Sequence, residues 1–145
     1  MKKMNNKGFS LVELIIVIAI MAILIAVLAP QYIKYVEKSR KSADLDNYQK
    51  VIDAIQVAYA DPDANITAGV GADITLADKN NACASNGNSS LWTNLPDYGV
   101  DVSKIVTKSS AYAHKKITVS VSGDKFTIGV DDASLAAELG LTVMP

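Results

Sequence analysis

The chain has 145 residues, with 14 basic and 15 acidic side chains, a formal charge of −1, one cysteine and one histidine. That balance argues against a general nucleic-acid binder, which needs clustered Lys and Arg for phosphate contacts. Cys83 alone excludes an intrachain disulfide, so an exported domain must hold by packing, and a single Cys and a single His far apart exclude zinc-ligand spacing.

The N-terminus reads Met1-Lys2-Lys3-Met4-Asn5-Asn6-Lys7-Gly8-Phe9-Ser10-Leu11-Val12-Glu13, and an uncharged run continues from Leu14 to Ala29. Between Phe9 and Ala29 only Ser10 and Glu13 are polar. As a helix this stretch is ~31 Å long, close to the ~30 Å hydrocarbon core of a bilayer. A carboxylate at bilayer depth costs roughly 2.5–3.5 kcal/mol on insertion scales, so Glu13 needs a partner. An ordinary signal peptide shares the basic stub and apolar core. Here, however, the run is longer, Glu13 interrupts its start, and the best small-residue site, Val27-Leu28-Ala29, is followed by Pro30. A plain single-pass anchor explains the length and the positive inner flank, but gives no reason for Gly8-Phe9 or Glu13.

Pro30 ends the apolar run and is expected to break or kink the helix, because it lacks an N–H and clashes with the preceding turn. The helical pattern resumes over 31–60. Leu45, Tyr48, Ile52, Ile55 and Tyr59 recur at steps of three and four, with Val51 and Ala58 filling in. Asp44, Asp46, Lys50 and Asp53 are assigned to the opposite, solvated face, and Ala60-Asp61-Pro62 closes the helix. Lys34, Lys38, Arg40 and Lys41, against Glu37, form a basic segment just past the apolar run. It reads as a solvated face, or as a lateral contact with acidic residues of neighbouring chains.

Residues 61–100 are punctuated by Gly69, Gly71, Asn80, Asn81, Gly87 and Asn88 and are expected to be irregular. Ile74-Thr75-Leu76 and Leu91-Trp92 should tuck onto the body, with Trp92 as a core or rim packer. Asn65-Ile66-Thr67 and Asn88-Ser89-Ser90 match a glycosylation sequon that means little in a bacterial-looking chain. Residues 101–145 carry the sheet signal. Ile117, Val119 and Val121 alternate with polar residues, as do Phe126, Ile128 and Val130, and Gly123-Asp124 lies between them, which predicts a hairpin. Val102 to Thr107 is a candidate third strand. Asp131 or Asp132 should cap a short helix over Ala133–Leu139, closed by Gly140. Lys104, Lys108, Lys115 and Lys116, with Tyr112 and His114 between them, form the basic cluster of this region. It is read as a guarded strand edge or as a contact for DNA phosphates or anionic sugars. No nucleophile–base pair, phosphate loop or spaced calcium ligands are present, so no enzyme, cofactor or metal is expected.

The segment Lys7-Gly8-Phe9-Ser10-Leu11-Val12-Glu13-Leu14 resembles the processing site of type IV pilins and pseudopilins, and the likeness extends over about Lys7 to Tyr35. The resemblance implies a leader, residues 1–8, cut by a prepilin peptidase between Gly8 and Phe9, and N-methylation of Phe9. It further implies a carboxylate at Glu13 that meets the Phe9 amine of a neighbouring subunit, and an inner-membrane assembly platform. Losing Lys2, Lys3 and Lys7 leaves 11 basic residues against 15 acidic, a net charge of −4. The implied fold is α+β: one long bent helix, with 9–30 as transmembrane and filament-core segment and 31–60 as amphipathic continuation. A head, 61–145, would place a small antiparallel sheet on the helix. The implied function is a filament subunit serving adhesion or surface motility, in the membrane before assembly and outside the cell afterwards. The alternatives are a pseudopilin of a type II secretion or competence system, and a membrane-anchored binding protein that never polymerises. Many Gram-negative pilins close a C-terminal loop with a cysteine pair, which Cys83 alone does not permit.

Overall fold

A computed structural model of the chain describes residues 8–64, 66, 71–122 and 125–144. Residues 1–7 of the expected leader, most of the Asn65-Ile66-Thr67 sequon and Gly123-Asp124 of the expected hairpin lie outside the described residues. The chain divides into two compact units, Met1–Val36 and Glu37–Pro145.

Helix α1 spans Leu11–Ala60, beginning two residues later than Phe9 and ending where the pattern predicts. In the first unit its side chains have no cover among the described residues: the large apolar residues from Leu11 to Leu28 are between 49% (Val17) and 72% (Leu11) exposed. A helix that is apolar all round belongs in lipid or among other helices, and this one is long and apolar enough to cross a membrane. The helix runs continuously through Pro30. Proline removes a single N–H, leaving the Ala26 carbonyl without its helical donor, while the ladder on either side still forms.

In the second unit, Tyr48, Val51, Ile52, Ala54, Ile55 and Ala58 of α1 are buried, with Leu45 and Tyr59 packed at the margin. They face one sheet of five strands among the described residues: β1 Ala72–Thr75, β2 Ala84–Gly87, β3 Lys116–Ser122, β4 Lys125–Val130 and β5 Thr142–Val143. The spatial order is β2-β1-β3-β4-β5. The predicted hairpin is β3–β4, antiparallel, with Val119 opposite Ile128 and Val121 opposite Phe126. Ile74, Ile117, Val119, Ile128 and Val130 point inward, onto the helix, and the phenol of Tyr48 donates to the carbonyls of Tyr112 (3.1 Å) and Lys115 (3.0 Å).

The third strand is not Val102–Thr107. Asp101 accepts the Ser103 N–H at 3.1 Å and turns Val102–Lys104 into a 3-10 helix. Val106 keeps only a lone parallel bridge to Ala77. The third strand is β1, inside the stretch expected to be irregular, where Ala72, Ile74 and Leu76 alternate with Asp73 and Thr75 and bury one face. The same stretch also holds β2 and helix α2, Ser89–Asn94. Trp92 is buried and donates its indole N–H to the Asn86 carbonyl. Helix α3 is Ala133–Leu139. Asp132, not Asp131, caps it through the Leu135 N–H (2.9 Å), and Gly140, at φ 67°, ends it. Strand β5 then pairs parallel with β4, so the sheet is mostly, not wholly, antiparallel. A Cβ on Gly129 would lie 2.7 Å from the Thr142 carbonyl, a close approach that requires glycine. Burial pushes the Cys83 thiol pKa up, which leaves little nucleophilic thiolate.

Candidate processing and assembly site

The first unit opens with an exposed, irregular Gly8-Phe9-Ser10 and then the first turn of α1. Phe9 is 91% exposed. A Cβ on Gly8 would meet nothing within 4 Å, so no contact in this chain demands glycine there. The demand, if the bond after Gly8 is cut, comes from whatever grips the backbone from outside. The Ser10 N–H donates to Glu13 Oε2 at 3.0 Å, and the Leu14 N–H donates to the Ser10 carbonyl at 3.2 Å. With Ser10 as N-cap and Glu13 at the third helical position, Glu13 makes the carboxylate half of a capping box. The signal, Ser-x-x-Glu before an apolar run, stood in the sequence and was not read as a cap. The carboxylate also favours the positive end of the helix dipole. Glu13 therefore has a partner within its own chain, on the side of the helix end where Phe9 lies.

The second unit holds a different pair of carboxylates. Asp44, assigned to the solvated face from sequence, is 1% exposed. It lies on the buried stripe, four residues before Tyr48 and seven before Val51, so spacing alone placed it inward. Its Oδ1 and Oδ2 accept the Lys108 N–H (3.0 and 2.9 Å), and Oδ2 accepts the Ser109 N–H (2.6 Å). Two turns earlier, Glu37 Oε1 accepts the Ser109 hydroxyl, the Ser110 N–H and the Ser110 hydroxyl at 2.8, 2.8 and 3.0 Å. Together they fasten segment 108–110 to the helix. Lys41 adds a 2.8 Å pair with Glu138 and lies 5.0 Å from the Tyr112 ring centroid.

Three lysines of the basic cluster have separate ion-pair partners. Lys104 pairs with Asp101 at 2.8 Å, Lys115 with Asp132 at 2.9 Å and Lys116 with Asp73 at 3.8 Å. Of the four, Lys108 alone has no ion pair among the described residues.

Several head carboxylates are held below their ordinary pKa. The Ser109 hydroxyl and Ser110 N–H lower Glu37, the Asp63 N–H and Tyr98 lower Asp61, and the Asn80 N–H and Asn81 lower Asp78. The Lys104 ammonium lowers Asp101, the Leu135 N–H and then Lys115 lower Asp132, and Lys41 lowers Glu138. A depressed carboxylate gives stability that is present above its unfolded pKa and lost as pH falls through the folded one. Melting of the full-length protein should be flat with pH above about 5, and Tm should drop steadily towards about pH 3. An unchanged Tm at the acid end would contradict the linkage.

Residues 3–29 match the prokaryotic N-terminal methylation motif, the type IV pilin and prepilin signature. No curated protein and no solved structure matches the chain. The long N-terminal helix and five-stranded, mostly antiparallel sheet are consistent with the α+β pilin fold. The motif implies prepilin-peptidase processing and pilin assembly in general, points to a structural protein, and with the apolar helix fits a membrane-anchored precursor.

Proposed function

We propose that this chain is a structural subunit of a type IV pilus filament, made as a membrane-spanning precursor and serving adhesion or surface motility. The observation that carries this reading is the combination at the N-terminus: an exposed Gly8-Phe9 bond, Glu13 at the first turn, and an apolar helix that nothing among the described residues covers. Lipid covers that surface before assembly, and helices of neighbouring subunits cover it afterwards. Hydrolysis of the Gly8–Phe9 peptide bond creates an amine on Phe9, which is then methylated. Inside a helical bundle the Glu13 carboxylate needs a cation, and the Phe9 amine of the next subunit supplies it, fixing register along the stack. The second reading is a pseudopilin of a secretion or competence system, which would use the same N-terminus. The third, a membrane-anchored binding protein, leaves Gly8-Phe9 unused.

Intact mass spectrometry of purified surface filaments tests the proposal. The main component should be this chain without residues 1–8 and with a methyl group on its N-terminus. Filaments retaining Met1, or filaments without this chain, would overturn it. Gly8→Val should leave the folded head unaltered, since nothing packs on Gly8, yet block cutting, because a β-branched side chain crowds the backbone. Immunoblots should show only the uncut precursor.

Pro30 gives a further expectation for the filament. Proline costs ~3 kcal/mol relative to alanine in a helix interior, so the turns around Pro30 are the least costly part of α1 to melt under axial load. Filament maps should show weakened helical density within a turn or two of Pro30, and continuous helix there in Pro30→Ala. Unbroken helix in the wild-type filament would refute the melting while leaving the filament role standing.

A further inference from the structure

A groove of ≈470 Å³ lies on the second unit, between α1, the loop after β1 and segment 106–110. Its walls converge for an identifiable reason. The Thr107 N–H donates to the Ala77 carbonyl at 2.8 Å, and the Asp44–Glu37 clamp holds 108–110 on the helix. These bonds bring Lys79, Lys108 and Arg40 to one opening. Two carboxylates also line it, but both are already engaged. Glu37 accepts from two serine hydroxyls and an N–H, and Asp78 accepts the Asn80 and Asn81 N–H groups at 2.7 Å each. Lys79 and Lys108 have no ion pair among the described residues, and Arg40 has only a 3.8 Å contact to Glu37. Both carboxylates keep their charge, so the lining carries three cations against two anions, a net +1, and Lys79 and Lys108 are the cations with no carboxylate within ion-pair distance of their ammonium groups among the described residues. Val106, 41% exposed, and Ala113 give the groove an apolar surface, and the Asn80 side chain offers an amide donor and acceptor.

We propose that this groove binds a carboxylated sugar residue, its carboxylate meeting Lys79, Lys108 and Arg40, its C–H face lying on Val106 and Ala113, and its hydroxyls meeting Asn80. The volume suits one or two sugar rings. A bare phosphate would use the cations and leave the apolar surface wet, and a neutral sugar would leave the cations unused. The site uses none of the residues proposed for leader cleavage or for the Glu13–Phe9 contact.

The test uses the full-length protein in detergent micelles, titrated with sodium glucuronate and followed by saturation-transfer NMR and calorimetry. Glucuronate should bind, with glucose and inorganic phosphate each at least roughly tenfold weaker. Lys79→Ser with Lys108→Ser should weaken glucuronate by roughly tenfold or more, the scale of losing charge-assisted hydrogen bonds, with Tm unchanged. Asp44 uses the Lys108 backbone and not its side chain, so the fold does not depend on the substitution. Lys104→Ser, whose ammonium is paired with Asp101, should bind as the wild type does. Absence of glucuronate binding, equal binding of phosphate, or wild-type affinity in the double variant would overturn the assignment.

Discussion

Glu13→Ala should abolish filament entry while leaving the chain inserted and cut. Two losses combine in this variant. The helix loses the carboxylate that accepts the Ser10 N–H, typically about 1 kcal/mol for a cap. In the proposed bundle, the neighbour's Phe9 amine is also left buried without a counter-charge, about 3–5 kcal/mol, or a hundredfold and more in assembly. Glu13→Gln separates the two, because glutamine also completes a capping box but carries no charge. Filament yield, scored by shearing and immunoblot against membrane-retained mature subunit, should be near zero for Glu13→Ala and intermediate for Glu13→Gln. Wild-type yield from both variants would refute any assembly role. Wild-type yield from Glu13→Gln alone would show that the cap, and not the charge, is what assembly requires.

The largest effect on the head should come from Asp44→Ala. The substitution strips the acceptor from the N–H groups of Lys108 and Ser109, in a place where Ser109 is itself 1% exposed. Leaving buried donors unmet costs ~1–3 kcal/mol each, so a loss of about 3 kcal/mol is expected, which lowers Tm by roughly 10 °C or more. Asp44→Asn should lie between, since one amide oxygen can still accept. Glu37→Ala should do less, because its partners lie nearer to water. Circular-dichroism melts at neutral pH check the order, and an Asp44→Ala melt within a few degrees of the wild type would show that the buried carboxylate is dispensable. Asp44→Ala should also open the groove floored by Val106, since the clamp positions Lys108.

The local features were legible in the order of residues alone. The uncharged run from Leu14 to Ala29 reads as an apolar helix of membrane length, and α1 contains it. Steps of three and four gave Tyr48, Val51, Ile52 and Ile55 as the buried stripe, and strict alternation gave β3 and β4. Asp132 and Gly140 bounded α3. Each of these depends on residues within a few positions of one another, where periodicity and capping act. The Ser10–Glu13 cap and the inward place of Asp44 were legible by the same rules. Asp44 was read by charge instead of by its place on the 44-48-51-55 stripe. The remaining features depend on contacts between distant segments. Asp44 is tolerable inside because N–H groups more than sixty residues away in the chain close on it, and no local pattern announces a donor at that distance. Likewise β1 became the third strand because β3 offered an edge to it, with Ile74 opposite Ile117, while Asp101 drew Val102–Lys104 into a turn. Lys115 and Lys116 were parted by Asp132 and Asp73 from other elements, while Lys104 is held by Asp101 at the start of its own turn. Lys108 joined Lys79 and Arg40 only because the Ala77–Thr107 bond and the carboxylate clamp fold three distant segments onto one groove.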